Sequence, residues 1–361
     1  MRDPMIVLNI AASRNGWLLP LAFACCLSSA NADVLDKPAV TSEKAATLVQ
    51  LSVARAGNRL VSVGERGVIL LSDDNGNRWR QAKVPVSVAL TRVRFVDDRN
   101  GWVVGHSGVV LATRDGGESW SMQLDGTRAA RTELAAAKRE EGDASRRTAD
   151  ARQLVEDGAD KPFLDVRFSD AQHGIAVGAY GMAFRTEDGG RSWLSFMGSL
   201  AAADARHLYA IVPTRDALLL LGEQGTVLAS TDGGRQFRRI DFPGKGTLFG
   251  AVSSASGQTI LAYGLKGNVY RSADAGMHWE RVELPPVSIT AGTRLGAGGF
   301  LLVDESGQTY RSDDDGRQFR AAARGQPMTD IALAADGALV GSTVRGPVRF
   351  AAGNGKEAGK P

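Results

Sequence analysis

Cysteine is nearly missing from this 361-residue chain, and the position of its two copies decides a good deal. Cys25 and Cys26 both fall in one apolar stretch, Trp17-Leu18-Leu19-Pro20-Leu21-Ala22-Phe23-Ala24-Cys25-Cys26-Leu27. Arg14 precedes that stretch and Ala30-Asn31-Ala32 follows it, the layout of a secretory signal with small residues before the cut. We expect residues 1–32 to be removed on export to the periplasm, leaving Asp33 first. A lipoprotein signal would need one of the cysteines, and bulky Phe23 lies within three residues of both. The stretch is also too short to cross a bilayer as a helix. On this reading the mature chain has no thiol, which excludes disulfides, thiol nucleophiles and thiolate metal sites.

Charge of one sign is lacking too. Lys and Arg number 43 against 40 Asp and Glu, so neither nucleic acid nor a membrane surface is expected as the main partner. With four histidines, no His-x-His, no carboxylate cluster and no discernible Ser–His–Asp set, neither metal, cofactor nor catalytic residue is expected. Proline is sparse at 12 residues, whereas glycine is abundant at 43, well above the usual share of about 7%. Without a long low-complexity run, that glycine implies many tight turns and hence many short strands.

A repeat supplies them. Ser72-Asp73-Asp74-Asn75-Gly76-Asn77-Arg78-Trp79 has the form S-x-D-x-G-x-x-W, and the pattern recurs with its Ser/Thr at 113, 186, 230, 272 and 312. Its Asp and aromatic positions are Asp74 and Trp79, Asp115 and Trp120, Asp188 and Trp193, Asp232 and Phe237, Asp274 and Trp279, and Asp314 and Phe319. Upstream of each stands G-x-x-G before an apolar run, as in Gly64-Glu65-Arg66-Gly67, read as a hairpin with two central residues. With one further apolar run before it, each unit holds four strands in roughly 40 residues, the period of a propeller blade.

Residues 336–350 give a seventh unit with no fourth strand, and we expect Val34 to Val40 to supply that strand and close the ring. The fold class is therefore all-β: a seven-bladed β-propeller over residues 33–352, with four-stranded antiparallel blades, and a disordered tail at 353–361.

The repeated Asp, Ser/Thr and Gly suit a compact turn, and the aromatic suits a wedge between sheets. Calcium is the chemical alternative, but the twelve-residue loop with alternating ligands and a closing Glu is absent. The turn is the Asp-box. The run Val93-Arg94-Phe95-Val96-Asp97-Asp98-Arg99-Asn100-Gly101-Trp102-Val103-Val104-Gly105, followed by Gly108 to Trp120 and echoed in residues 163–193, resembles the photosystem II stability/assembly factor-like family. The resemblance implies a seven-bladed propeller without enzymatic activity that binds newly made membrane-protein subunits. It points to a protein client, with an inner-membrane protein or complex as one form, and no membrane insertion of the mature chain. Asp-boxes also occur in sialidases and other glycoside hydrolases, so a hydrolase or carbohydrate-binding propeller is the alternative.

The 73-residue gap between Thr113 and Thr186 holds an insertion, 126–161, rich in Ala, Arg and Glu, with helix-favouring stretches at 128–140 and 144–156. Large apolar residues there are few (Leu134, Leu154, Val155), so neither helix is expected to bury much. A solvated hairpin and a lid that contacts a partner both fit. Strand order places the insertion beside the G-x-x-G turns, which carry Arg66, His106, Tyr180, Gln224, Lys266 and Arg345, and puts the Asp-boxes on the opposite face. Those six residues are the candidate partner-binding set, together with Arg94 and Arg167. These two arginines occupy matching places on innermost strands and should pair with carboxylates or face a wet channel.

Overall fold

The computed structural model describes residues 34–203, 206–296 and 298–350; the expected signal and tail lie outside them. Every apolar run flanked by glycine turns becomes a strand, and the strands assemble into seven antiparallel sheets, six of four strands and one of three. In blade one the strands are, from the inside outward, Gln50–Ala56, Arg59–Gly64, Ile69–Ser72 and Arg80–Gln81. We call them A to D. The A strands touch one another in sequence around the ring, and the seventh touches the first. The core is correspondingly a series of apolar clusters, most of them between neighbouring sheets.

Ring closure differs from the sequence expectation. Blade seven has only Asp330–Leu333, Leu339–Thr343 and Gly346–Phe350. Val34 to Val40 lies along blade one instead: Ala39 N donates to Val84 O (3.1 Å), and Ser87 N donates to Val34 O (3.0 Å). The reason is burial. Leu35 and Ala39 pack on the cluster that holds Ala82, Val84 and Val86, beyond the two-residue outer strand of blade one. The seam between blades seven and one is held by side chains. Asp330 Oδ2 accepts from Ser52 Oγ (2.7 Å) and Val53 N (3.3 Å), and Arg349 Nε donates to Asn75 O (2.9 Å).

The insertion forms α1, Gly126–Glu141, and α2, Arg146–Asp157. Asp125 and Ser145 cap them by accepting from Arg128 N and Thr148 N. The hairpin buries more than its lack of large apolar residues implied. Ala129, Ala130, Ala136, Ala137 and Ala151 are buried, as small side chains allow the helix backbones to pack closely. Buried Glu133 binds Arg147 (2.8 Å) and also accepts from Ser195 Oγ on the outer strand of blade three. No helix among the described residues is long and apolar enough to cross a membrane.

Candidate functional site

One rim of the ring carries the Asp-boxes. Ser72 Oγ donates to Asp74 Oδ1 (2.9 Å) and accepts from Gly76 N (2.8 Å), while Asp74 Oδ1 also accepts from Arg78 N (2.9 Å). The same three bonds recur at Asp115, Asp188, Asp232, Asp274 and Asp314. Burial opposes ionisation of Asp188, but bonds from Ser192 and Thr186 outweigh it and hold the carboxyl down to about 2. Asp274 is held equally low against burial by bonds from His278 and Ser272. Trp120 and Trp193 are buried; Trp79, Phe237, Trp279 and Phe319 are partly buried against neighbouring clusters. These carboxylates serve the turn.

The other rim carries the G-x-x-G turns. In blades one to five each is a three-residue 3-10 turn, one residue longer than read from the sequence. Arg66, Tyr180, Gln224 and Lys266 hold its positive-φ position. In blade two Ser107 does so, and His106 sits one place earlier. Arg345 lies in a tighter turn between the paired residues Thr343 and Gly346. All six candidates on this rim are exposed.

The insertion returns to the ring beside Tyr180, with Lys161 Nζ 5.1 Å from its ring centroid. From Tyr180 a stripe of rings crosses three blades: Tyr180 to His207 (4.9 Å), His207 to Tyr209 (6.3 Å) and Tyr209 to Phe249 (5.9 Å). Tyr180 is 54% exposed, and the other three are half-buried. Burial, with Glu223 nearby, raises the Tyr209 phenol. Sequence reading found only Tyr180 of this stripe. Bulky aromatics at matching places in Leu208–Pro213 and Leu248–Ser253 were the available signal.

Within the channel, Arg94 Nε approaches Asp165 (3.5 Å), so its expected carboxylate exists. Arg167 has no ion pair among the described residues. Burial and the Arg94 charge lower its pKa, against Asp165. Three further charged residues, Arg92, Asp165 and Asp330, escaped sequence reading because their shared strand position carries charges of opposite sign in different blades. Arg92 Nη1 binds Asp330 (3.0 Å), and Arg92 Nε lies 3.6 Å from Asp165. Burial disfavours the Arg92 cation, but Asp330 and Asp165 more than offset this and raise its pKa. Across the ring, Gly250 and Gly292 make room for Tyr263, whose phenol is pushed up to about 12 by burial and the Asp330 charge.

A cavity of about 630 Å³ opens between blades three and four on the Asp-box rim, with Arg167, Arg185, Arg235 and His173 in its wall. Sequence reading did not anticipate it. Among the described residues no group of three His, Cys, Asp or Glu is placed to hold a metal ion.

Comparison with known proteins agrees with this architecture. The chloroplastic photosystem II stability/assembly factor HCF136 of Cyanidioschyzon merolae (strain NIES-3377 / 10D) is 45% identical over 47 residues, 12% of this chain and 11% of that protein. The photosystem II assembly lipoprotein Ycf48 of Synechococcus sp. (strain CC9902) is 31% identical over 99 residues, 26% of this chain and 30% of that protein. The aligned stretches thus span less than a third of these curated relatives.

Among solved structures, YCF48 from Cyanidioschyzon merolae superposes with a TM-score of 0.60 at 15% identity, covering 86% of this chain and 97% of that one. YCF48 bound to D1 peptide gives 0.56 at 15% identity, with 87% and 96% covered. At such identities these structures speak for the fold. The family model described as "Photosynthesis system II assembly factor YCF48" matches residues 71–139 and 144–357, and the chain belongs to that family.

Proposed function

We propose that this protein is a non-enzymatic periplasmic scaffold that holds a protein client, a membrane or exported protein, while its complex assembles. The observation that carries this reading is the aromatic stripe beside the insertion. Four rings in series, one of them more than half exposed, form the kind of anchor around which protein interfaces are built. Arg66, Gln224, Lys266 and Arg345 surround the same channel mouth with unlike groups, which supplies specificity. Family membership supports the reading, and one similar structure is YCF48 bound to D1 peptide.

The test is affinity copurification of the tagged mature chain from membrane and periplasmic fractions, comparing wild type with a deletion of residues 127–160 and with Phe249→Ser. The backbones of Gly126 and Ala159 lie close together, so a short Gly/Ser bridge joins the ends. The client should be recovered by wild type and lost from both variants. Full recovery by both would refute this docking face.

A further inference from the structure

Four arginines stand at one equivalent place in the C strands of different blades: Arg185, Arg271, Arg311 and Arg349, which pair in register with Ile175, Leu261, Leu301 and Val340. Arg311 Nε donates to Asp313 Oδ1 (2.8 Å) in its own Asp-box. The other three lean toward the Asp-box of the following blade. Arg271 is fully provided for: Nε donates to Asp315 O (2.8 Å), Nη2 to Asp315 Oδ2 (3.0 Å) and Nη1 to Glu280 Oε1 (2.9 Å). Arg349 has Asn75 O and the Asp336 carboxylate. Arg185 has neither kind of partner. The residue that matches Asp315 in the next Asp-box is Gly233, and the residue that matches Glu280 across the outer strand is Leu194. Its Nε is buried with no hydrogen-bond partner, a costly state for a guanidinium.

Arg185 and Gly233 both line the cavity between blades three and four. A Cβ on Gly233 would meet nothing within 4 Å, so the place of the Asp315 carboxylate is open. Arg167 and Arg235 add positive charge to the same wall. Of the carboxylates lining it, Asp232 is engaged by its own Asp-box and Asp216 by Arg215. Glu187 is exposed and makes no ion pair among the described residues, so it is the internal rival.

We propose that this cavity is a carboxylate-binding site. In it the carboxylate of an extended peptide, carried by an Asp or Glu side chain or by the C-terminus, takes against Arg185 the place that Asp315 takes against Arg271. Planar, two-pronged pairing of guanidinium with carboxylate is the favoured geometry for such a contact. The site lies on the Asp-box rim, opposite the aromatic stripe, and does not depend on the client reading.

Gly233→Asp tests the proposal from inside the protein, with Gly233→Asn as its reference. Non-glycine residues already hold this positive-φ place at Asn75, Ala275 and Asp315, so both substitutions are tolerated. In the full mature chain Gly233→Asp should melt several degrees above Gly233→Asn, and the gain should vanish when Arg185→Gln is added. The same difference in both backgrounds would overturn the proposal. Calorimetric titration supplies the second readout, with three probes: Ac-Ala-Ala-Asp-Ala-Ala-NH2, Ac-Ala-Ala-Ala-Ala-Ala with a free C-terminus, and the amidated all-alanine control.

At least one carboxylate probe should bind saturably and the control should not. Which one binds separates the two sources. Gly233→Asp and Arg185→Gln should each weaken binding at least tenfold, and Glu187→Gln should strengthen it. Unchanged affinity in Gly233→Asp, or no binding by any probe, would also overturn the proposal. If Arg185→Gln does not fold, Arg185→Lys keeps the charge without the fork and serves in both measurements.

Discussion

The two rims of this ring are written by the same repeat, yet one is fixed and the other is free. On the Asp-box rim, six turns reproduce the same Ser/Thr–Asp–Gly bonds. On the opposite rim, one positive-φ position holds Arg66, Ser107, Tyr180, Gln224 and Lys266. The difference follows from what each position must satisfy. An Asp-box carboxylate collects backbone N–H groups that would otherwise go unpaired, so its identity is constrained. The turn position on the other rim asks only for a left-handed backbone, and its side chain points to solvent. Positions that fold the ring are therefore uniform, and those open to a partner are unlike one another. The Asp-box rim also has a positive-φ position whose residue varies, the fourth in each box, which runs Asn75, Gly116, Gly189, Gly233, Ala275, Asp315.

The largest effect that could break this contrast lies in the wedge. Trp120 is buried, and its indole N–H donates to Gly117 O (2.9 Å). Trp120→Ala should cost about 3–5 kcal/mol, the usual range for a large buried aromatic. Urea unfolding measures it, and a loss below about 1 kcal/mol would mean that the rim is not fixed by packing.

Next comes the seam. Asp330 joins blades seven, one and two through Ile331 N, Val53 N and Arg92. Asp330→Ala leaves the Arg92 cation without its shortest ion pair and should cost roughly 3 kcal/mol. If blade seven opens before the rest, hydrogen exchange will be faster in residues 330–350 of the variant than elsewhere.

A smaller effect is set by acid. Asp188 and Asp274 titrate at about 2 in the folded protein against an ordinary 3.8. Lowered folded values stabilise the protein above pH 4, and that contribution is lost as pH falls from about 4 to 2. Asp188→Asn should flatten part of this fall in a melt-versus-pH series, and a wild-type melt independent of pH over that window would contradict the bond pattern.

The fold was legible because its determinants repeat: four residues at six matching positions identify blades without any long-range information. What escaped depended on which neighbours the ring brings together. The charged channel positions Arg92, Asp165 and Asp330 occupy equivalent strand positions in blades with different neighbours, so no pattern flagged them. The path of Val34 to Val40 depended on whether Leu35 and Ala39 found a better apolar surface on blade one than an edge on blade seven, a competition that spacing does not encode. The insertion looked unanchored because its burial uses alanines and one Glu–Arg pair instead of large apolar side chains. Gly233 was visible in the repeat, but its meaning needed the direction of Arg185.

The smallest expected effect on stability is the sharpest test of the free rim. Tyr180 sits at φ 55°, a backbone region where a bulky side chain is strained, and its ring is mostly in solvent. Tyr180→Gly relieves that strain but gives the unfolded chain more freedom, so the two terms offset to within about 0.5 kcal/mol. Lys161 loses the ring beneath it, a contact worth little at an exposed site. The melt should therefore stay where it is, while client recovery in copurification falls by severalfold because the stripe has lost its exposed end. Gln224→Gly, at the same backbone position one blade on, should also leave the melt unchanged and should lower client recovery less than Tyr180→Gly, because it takes no ring from the stripe. A melt lowered by several degrees in Tyr180→Gly would show that this rim, too, is held by its side chains, and the contrast between the rims would go with it.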